Sequence, residues 1–271
     1  MKMNEVLTQP APVQIQGLTA RYGEKTVLEN VDFTASPGII TVIIGGSGCG
    51  KSTLLKHALG LYQPAGGRVF LFGRDIEEVS DSELKQIRMR IGVLFQNGAL
   101  FTSMTVGENV AIVIRENTDL PEEIIAQMVR MKLSLVGLED AIGKYPEELS
   151  GGMRKRAALA RAIASDPEML FCDEPSAGLD PVVASELDDL LLNMRSLFNM
   201  TMVVVTHELE SIKKIADRVV MLDDGGIVAQ GTLEEVMSVR DHRVHDFFNR
   251  ISHTEEKSRA SIYAVSEGKD A

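Results

Sequence analysis

An α/β fold with a mostly parallel sheet is predicted by two features of the chain. Short apolar runs alternate with helical stretches, and one of those runs passes through a glycine-rich loop directly into a helix. A third feature, a tract with helical character from Asn97 to roughly Ser165, sets a helical insertion into that alternation.

From Val13 to about Gly73 the runs VQIQGLTARY, TVLENVDFTA, GIITVIIG and GRVFLFG read as short strands between glycine and proline turns. A helix is expected from Lys51 to Leu61, a polar helical run from Lys85 to Arg90, and a strand at IGVLFQ. Within the helical tract, Pro121-Glu122-Glu123 is a good helix start, with proline early and acids in the first turn. Ile124, Ile125, Met128, Met131 and Leu135 then follow helical spacing. A further helix is expected over Met153 to Ala164. Strands return at MLFCDEP and MVVVTH around a helix from Val183 to Leu197. The last two, RVVMLDDG and GIVAQG, meet at a hairpin turn, Asp223-Asp224-Gly225-Gly226. Strands alternating with helices imply a parallel sheet covered on both faces. The organisation expected is a polar lead-in over 1–12, one large domain over 13–240 with its helical part at about 97–165, and an extension over 241–271.

Composition narrows the function classes. Of 271 residues, 44% are hydrophobic and 25% charged, the balance of a soluble globular chain. The apolar runs are strand-sized, far short of the ~20 residues of a membrane span. The N-terminus lacks the basic-then-apolar layout of a signal peptide, so a cytoplasmic location is expected. Acidic residues number 39 against 28 basic, a formal charge of −11, which argues against nucleic acid as a partner and against direct adsorption to anionic lipid. Cys49 and Cys172 fit no disulfide framework. Cys172 reads as a small buried hydrophobe. Cys49 lies at a helix start, where thiol pKa values tend to fall; its alkylation is expected to block ATP binding, and bound ATP to protect it.

The chemistry is concentrated in five phrases: GGSGCGKST, LFQ, LSGGM, FCDEP and VVVTHE. Gly45-Gly46-Ser47-Gly48-Cys49-Gly50-Lys51-Ser52 fits G-x-x-x-x-G-K-[ST], and it lies between an apolar strand and a helix, where such a loop works. Glycines let backbone N–H groups close around phosphate oxygens, and the helix start adds its positive dipole end. Lys51 should reach the β- and γ-phosphates, Ser52 should offer its hydroxyl to Mg²⁺, and Thr53 adds an α-phosphate contact. Asp173 and Glu174 close an apolar strand, at the sheet edge where α/β proteins bind ligands. Asp173 is read as a second, water-mediated partner of Mg²⁺.

Leu149-Ser150-Gly151-Gly152-Met153, in this order with the other phrases, resembles the signature of the ATP-binding cassette (ABC) family over about the first 240 residues. The resemblance implies a RecA-like parallel sheet core, an antiparallel β subdomain and an inserted helical subdomain. It implies that Glu174 polarises the attacking water, that His207 contacts the γ-phosphate, and that Gln96 touches Mg²⁺ or the water. Tyr22 corresponds to the aromatic that stacks on adenine. Ser150, Gly151 and Gly152, with Asp180 beside them, would complete an ATP site held by a second copy, so that two copies sandwich two ATP. Met153, where most relatives have Gln, together with QNGALFTSMTV and MRKRAALARA, resembles the ATPase subunits of MCE-type lipid transporters, the Mla phospholipid system of Gram-negative envelopes among them. The partners this implies are a multi-span permease dimer, an MCE-domain lipid-binding protein and, in some systems, a small STAS-domain subunit, with the chain peripheral on the cytoplasmic face of the inner membrane.

Leu100, Phe101 and Val106 are the expected groove for the permease's coupling helix. His242 to Phe248 is expected to form a short amphipathic helix that clasps a second copy or an accessory subunit. Other readings fit less well. A DNA-repair-type ATPase would carry a coiled-coil insertion and a more basic balance, and a small-molecule kinase leaves LSGGM unexplained. Lipoprotein release or amino-acid import is the nearest alternative.

Overall fold

The computed structural model describes residues 10–249. Strands β1 (Val13–Tyr22), β2 (Lys25–Ala35), β4 (Gly66–Leu71) and β5 (Arg74–Asp75) form an antiparallel sheet in the order β2-β1-β4-β5. A second sheet of six strands runs β10-β9-β3-β8-β7-β6. Its members are β3 (Ile40–Gly45), β6 (Ile91–Leu94), β7 (Met169–Asp173), β8 (Thr201–Val205), β9 (Arg218–Asp223) and β10 (Gly226–Gly231). Only β10 pairs antiparallel in it, through a turn in which Asp224 (φ 44°) and Gly225 (φ 75°) both adopt positive φ.

The central strands are buried on both faces, which is why they read as unbroken apolar runs. Successive side chains of β3 point to opposite sides. Val42 and Ile44 join a core with the helices α3 (Val106–Asn117), α4 (Glu122–Leu135), α5 (Gly151–Ala162) and α6 (Pro181–Phe198). Ile43 joins a core with α1 (Lys51–Ala58) and the antiparallel sheet. The register matters for function. Ile43 pairs with Val205 and Val205 with Asp173, so the chain leaving β3, β7 and β8 emerges at one edge.

Several elements differ from expectation. Helix α1 stops at Ala58 rather than Leu61, because Gly60 turns left-handed (φ 64°). Leu61 N–H then bonds Lys56 O at 2.9 Å and Gly60 N–H bonds His57 O at 2.9 Å, the paired bonds of a Schellman cap. Helix α2 (Asp81–Met89) starts four residues before the expected run, at a capping box in which Ser80 and Glu83 satisfy each other's backbone N–H. Residues 97–105 are not helical: Gly98 and Ala99 have positive φ, and α3 begins only after the Thr105–Glu108 box. Helices α5 and α6 each start two residues earlier than expected, capped by Ser150 and Asp180. Two short helices were not expected, α7 (Leu209–Ile215) and α8 (Leu233–Ser238).

The expected helix at 242–248 exists, as α9 over residues 242–249. Its apolar residues Val244 and Phe248 are buried in the chain's own core, so its apolar face packs inward. The rest of the extension lies outside the described residues. Among the described residues, no helix is long and apolar enough to cross a membrane.

Candidate active site

The phosphate loop is shaped by its glycines. Gly45 (φ 150°) ends β3 where a Cβ would strike the carbonyl of Leu222, and Gly50 (φ 109°) caps α1 against Leu28. Neither position admits a side chain without moving backbone or core. A Cβ at Gly46 or Gly48 would instead meet nothing within 4 Å, which leaves the loop's outer backbone open to a ligand. Ser47 is exposed beside them and Ser52 is exposed in the first turn of α1, while Thr53 is buried beneath. Lys51 Nζ donates to Gly45 O and Gly46 O, each at 2.8 Å, and so lies over the loop.

Glu174 follows β7 with φ 48°, a left-handed conformation costing a non-glycine residue about 1–3 kcal/mol. Its N–H is held by Val205 O at 2.8 Å. His207 Nδ1 lies 2.9 Å from Glu174 Oε1, and this hydrogen bond raises the histidine's pKa above its ordinary value. Glu174 Oε2 is buried without a hydrogen-bond partner. Asp173 is driven upward in pKa by burial and then by the adjacent Glu174, with Lys51 opposing.

Glu174, His207, Lys51, Gly45, Gly46 and Ser47 line one cavity of about 1220 Å³. It extends past Leu179 and Asp188 to Arg243 and Phe247. A phosphate cradle, a fixed lysine, and a carboxylate with one free oxygen beside a histidine suit hydrolysis of a phosphate ester or anhydride. Ser52, exposed in the first turn of α1, and Asp173, at the end of β7, offer the oxygen donors Mg²⁺ takes, and among the described residues no three His, Cys, Asp or Glu cluster as a metal cage. A metal shared between phosphates and one or two side chains needs no cage.

The walls of that cavity do not include Ser150, Gly151, Gly152 or Gln96. Ser150 and Gly151 are exposed at the start of α5, and Ser150 caps that helix through Met153 N–H at 3.3 Å. Asp180 caps α6, accepting from Val182 and Val183 N–H at 3.1 Å. Gln96 is exposed just after β6. Tyr22, 45% exposed, meets the edge of Tyr62 with ring centroids 6.1 Å apart. The fall in thiol pKa expected for Cys49 is not what its surroundings produce. The thiol is 6% exposed, and burial raises its pKa against the opposing pull of Lys51. Of the residues expected to receive a coupling helix, Val106 is fully buried and Phe101 is exposed.

A model of the ABC transporter family matches residues 28–177, the stretch running from β2 through the phosphate loop and α5 to Glu174. The chain belongs to the ABC transporter family. It is 43% identical over 87% of its length to the intermembrane phospholipid transport system ATP-binding protein MlaF of Haemophilus influenzae, covering 89% of that protein. It is 40% identical over 89% of its length to the MlaF of Escherichia coli K12, again covering 89%. It is also 40% identical over 92% of its length to the probable ribonucleotide transport ATP-binding protein mkl of Mycobacterium tuberculosis, covering 71% of that protein. Among solved structures it resembles the dimeric, post-hydrolysis ATP-binding cassette MJ0796 bound to ADP and Pi. That match has a TM-score of 0.74 at 30% identity, covering 82% of this chain and 98% of that one. CbiO1 from Clostridium perfringens, part of the cbiONQ ABC transporter complex, gives 0.78 at 30% identity over 92% and 100%. This ABC protein is thus a nucleotide-binding ATPase, with a sheet, phosphate loop and helical arm of the cassette type.

Sequence reasoning missed one residue of the site. Lys155, buried in α5, donates to the carbonyls of both Gln96 and Glu174. The only signal was a lysine where helical phase turns α5 inward, since Lys155, Leu159 and Ala162 share one stripe.

Proposed function

We propose that this chain is the ATP-hydrolysing subunit of a phospholipid transporter working between the inner and outer membranes. Two copies would act in it, bound to a permease dimer on the cytoplasmic face. The Glu174–His207 pair on the wall of the phosphate-loop cavity is the observation that carries the hydrolytic part. The lipid part draws on likeness to the two MlaF proteins. In this reading the N–H groups of Gly45, Gly46, Ser47, Gly48, Cys49 and Gly50 bind phosphate oxygens. Lys51 leaves the loop carbonyls for the β- and γ-phosphates, with Ser52 and Thr53 beside it. Tyr22 stacks on adenine.

Glu174 orients the attacking water through its free Oε2 and draws off its proton. His207 shares Oε1 and holds the γ-phosphate. Ser52, Asp173 and Gln96 are the residues that would hold Mg²⁺, which when bound supplies positive charge against the phosphates. Ser150, Gly151, Gly152 and Asp180 act on the ATP of the second copy. Residues 97–165 serve as an arm that meets the permease through Leu100 and Phe101, so that pairing of the two copies over ATP is passed to the permease. An MCE-domain lipid carrier and a small STAS-domain subunit are the remaining expected partners.

The test is affinity purification of the tagged chain from detergent-solubilised native membranes, with mass spectrometry of proteins and lipids. A permease, an MCE protein and phospholipid are expected. A different permease with a soluble binding protein, or a ribonucleotide-dependent ATPase response, would keep the hydrolytic chemistry and replace the cargo.

A further inference from the structure

Strands β6 and β7 are paired in parallel as far as Leu94 and Cys172. Two residues on, Gln96 and Glu174 have left the ladder, and their carbonyls need other donors. One group serves both. Lys155 Nζ donates to Gln96 O at 2.5 Å and to Glu174 O at 3.1 Å. The lysine is 7% exposed, and burial lowers its pKa while the charge of Glu174 opposes that fall. Burying an ammonium is costly unless it is hydrogen-bonded, so its position is strongly specified by these two carbonyls.

The contact bears on the carboxylate directly. Glu174 sits at φ 48°, and its direction is set by the peptides on either side. Val205 O holds the N–H at 2.8 Å; Lys155 and the Ala177 N–H, at 3.2 Å, hold the carbonyl. Lys155 lies on α5, the helix that opens with Gly151 under a Ser150 cap. Arg161, two turns further along α5, holds the same loop by another route, donating to Ala99 O at 2.5 Å and Gly98 O at 2.9 Å. Arg161 anchors the loop alone, whereas Lys155 joins loop, helix and carboxylate.

We propose that Lys155 is a positioning residue for hydrolysis, tying the placement of Gln96 and the direction of Glu174 to the helix that begins at Ser150. The inference rests on the reading of Glu174 as the carboxylate that activates water. Any displacement of α5 is then felt at both strand ends, while nucleotide binding, made by β3 and α1, is left alone.

The experiment measures steady-state ATPase and Tm for the full-length chain in its native membrane complex. The chains compared are wild type, Lys155→Met, Lys155→Arg, Arg161→Met and Glu174→Gln. For Lys155→Met, kcat should fall about 10- to 100-fold with KM for ATP within about twofold, since misplacing a reacting group costs rate rather than binding. Lys155→Arg, which keeps a cation with donors, should recover to within about threefold, and Arg161→Met should lose no more than about threefold. If Lys155→Met fails to accumulate, Lys155→Gln replaces it with the same expected split. The proposal is overturned if the Lys155 variant keeps wild-type kcat, if its KM rises in step with the loss, or if Arg161→Met loses as much. Equal rates for wild type and Glu174→Gln would overturn the reading of Glu174, and this inference with it. An active wild type, an inactive Glu174→Gln and a fully active Lys155→Met would overturn this inference alone.

Discussion

Two glycine-containing loops open helices in this protein, and they are built for different purposes. The loop after β3 is set into the fold: Gly45 and Gly50 stand where no Cβ fits, and Lys51 is fastened across it. Its walls are shared with Glu174 and His207 of the same chain. The loop before α5 stands clear. Gly151 has Leu179 as its nearest neighbour, at 3.5 Å from a notional Cβ, and Ser150 and Gly151 are exposed. An exposed helix start with a serine cap has the same N–H groups and dipole as the first loop, but it lies outside the walls of the phosphate-loop cavity. The first loop is the complete side, lined within its own chain; the second lies outside that cavity and, in the function proposed above, meets the ATP of the second copy.

The largest expected effect removes chemistry from the complete side. Glu174→Gln should lower kcat for ATP by about 10²–10⁴, the usual worth of a positioned general base. Nucleotide binding should be retained, because the phosphate loop is untouched. Equilibrium binding of a fluorescent ATP analogue beside a phosphate-release assay separates the two. A variant that hydrolyses at the wild-type rate would remove Glu174 from the reaction.

The second prediction breaks the comparison itself. Gly151→Asp has room within its own fold, so Tm and ATP binding should stay unchanged, yet hydrolysis should fall about 10²-fold if the loop faces a second copy's phosphates. Gly152 would be a poor choice, since a Cβ there crowds Val183 at 2.5 Å. Mixing Gly151→Asp with Lys51→Ala chains should then restore activity, because a head-to-tail pair of the two retains one intact site. Two inactive proteins that stay inactive when mixed would argue that both loops serve the same chain.

This contrast also explains how much was legible in the sequence. Residues whose role is fixed by backbone could be read directly. Gly45 to Ser52 announces itself because phosphate cradling needs glycines at set intervals, and MLFC is apolar throughout because β7 is buried on both faces. Helix boundaries were legible only where caps were considered. Ser80 and Glu83 give α2 its start in plain letters, and Pro181 at the first turn gives α6 its own, but a reading by hydrophobic spacing passes over both. Contacts between remote segments could not be read at all. Cys49 sits at a helix start, which favours thiolate, but Gly45 and the β9 end pack over it and burial prevails. Lys155 looks like one more cation in MRKRA until the fold sets it beside Gln96 and Glu174.

Smaller effects test the margins of the complete side. Tyr22→Ala should raise KM for ATP by roughly 5- to 150-fold, the equivalent of about 1–3 kcal/mol for one base stacked on one ring. Tyr22→Phe should leave it near wild type. If both variants match wild type, the exposed pair Tyr22 and Tyr62 has no part in holding adenine.

The smallest prediction concerns the far wall of the same cavity. Asp188 is 3% exposed, accepts from Ser211 Oγ at 2.8 Å through Oδ2, and leaves Oδ1 unpartnered. Burial pushes its pKa to about 6, above the ordinary 3.8, with Ser211 and Lys214 opposing. A carboxyl raised on folding stabilises the protein below its unfolded pKa, and that contribution is lost as pH rises through the folded value. Between pH 5 and pH 7 the unfolded chain is already ionised while the folded one titrates. Asp188 should therefore withdraw about 1.4 kcal/mol over that interval. Asp188→Asn removes the proton exchange, so urea-unfolding stability of wild type minus variant should decline from pH 5 to pH 7 by about that amount. A difference that stays flat would mean that Asp188 is ionised at pH 5 and that water reaches its free oxygen. The cavity beyond His207 would then be a wet channel rather than a packed wall, and only the phosphate-loop end would count as the built part of the site.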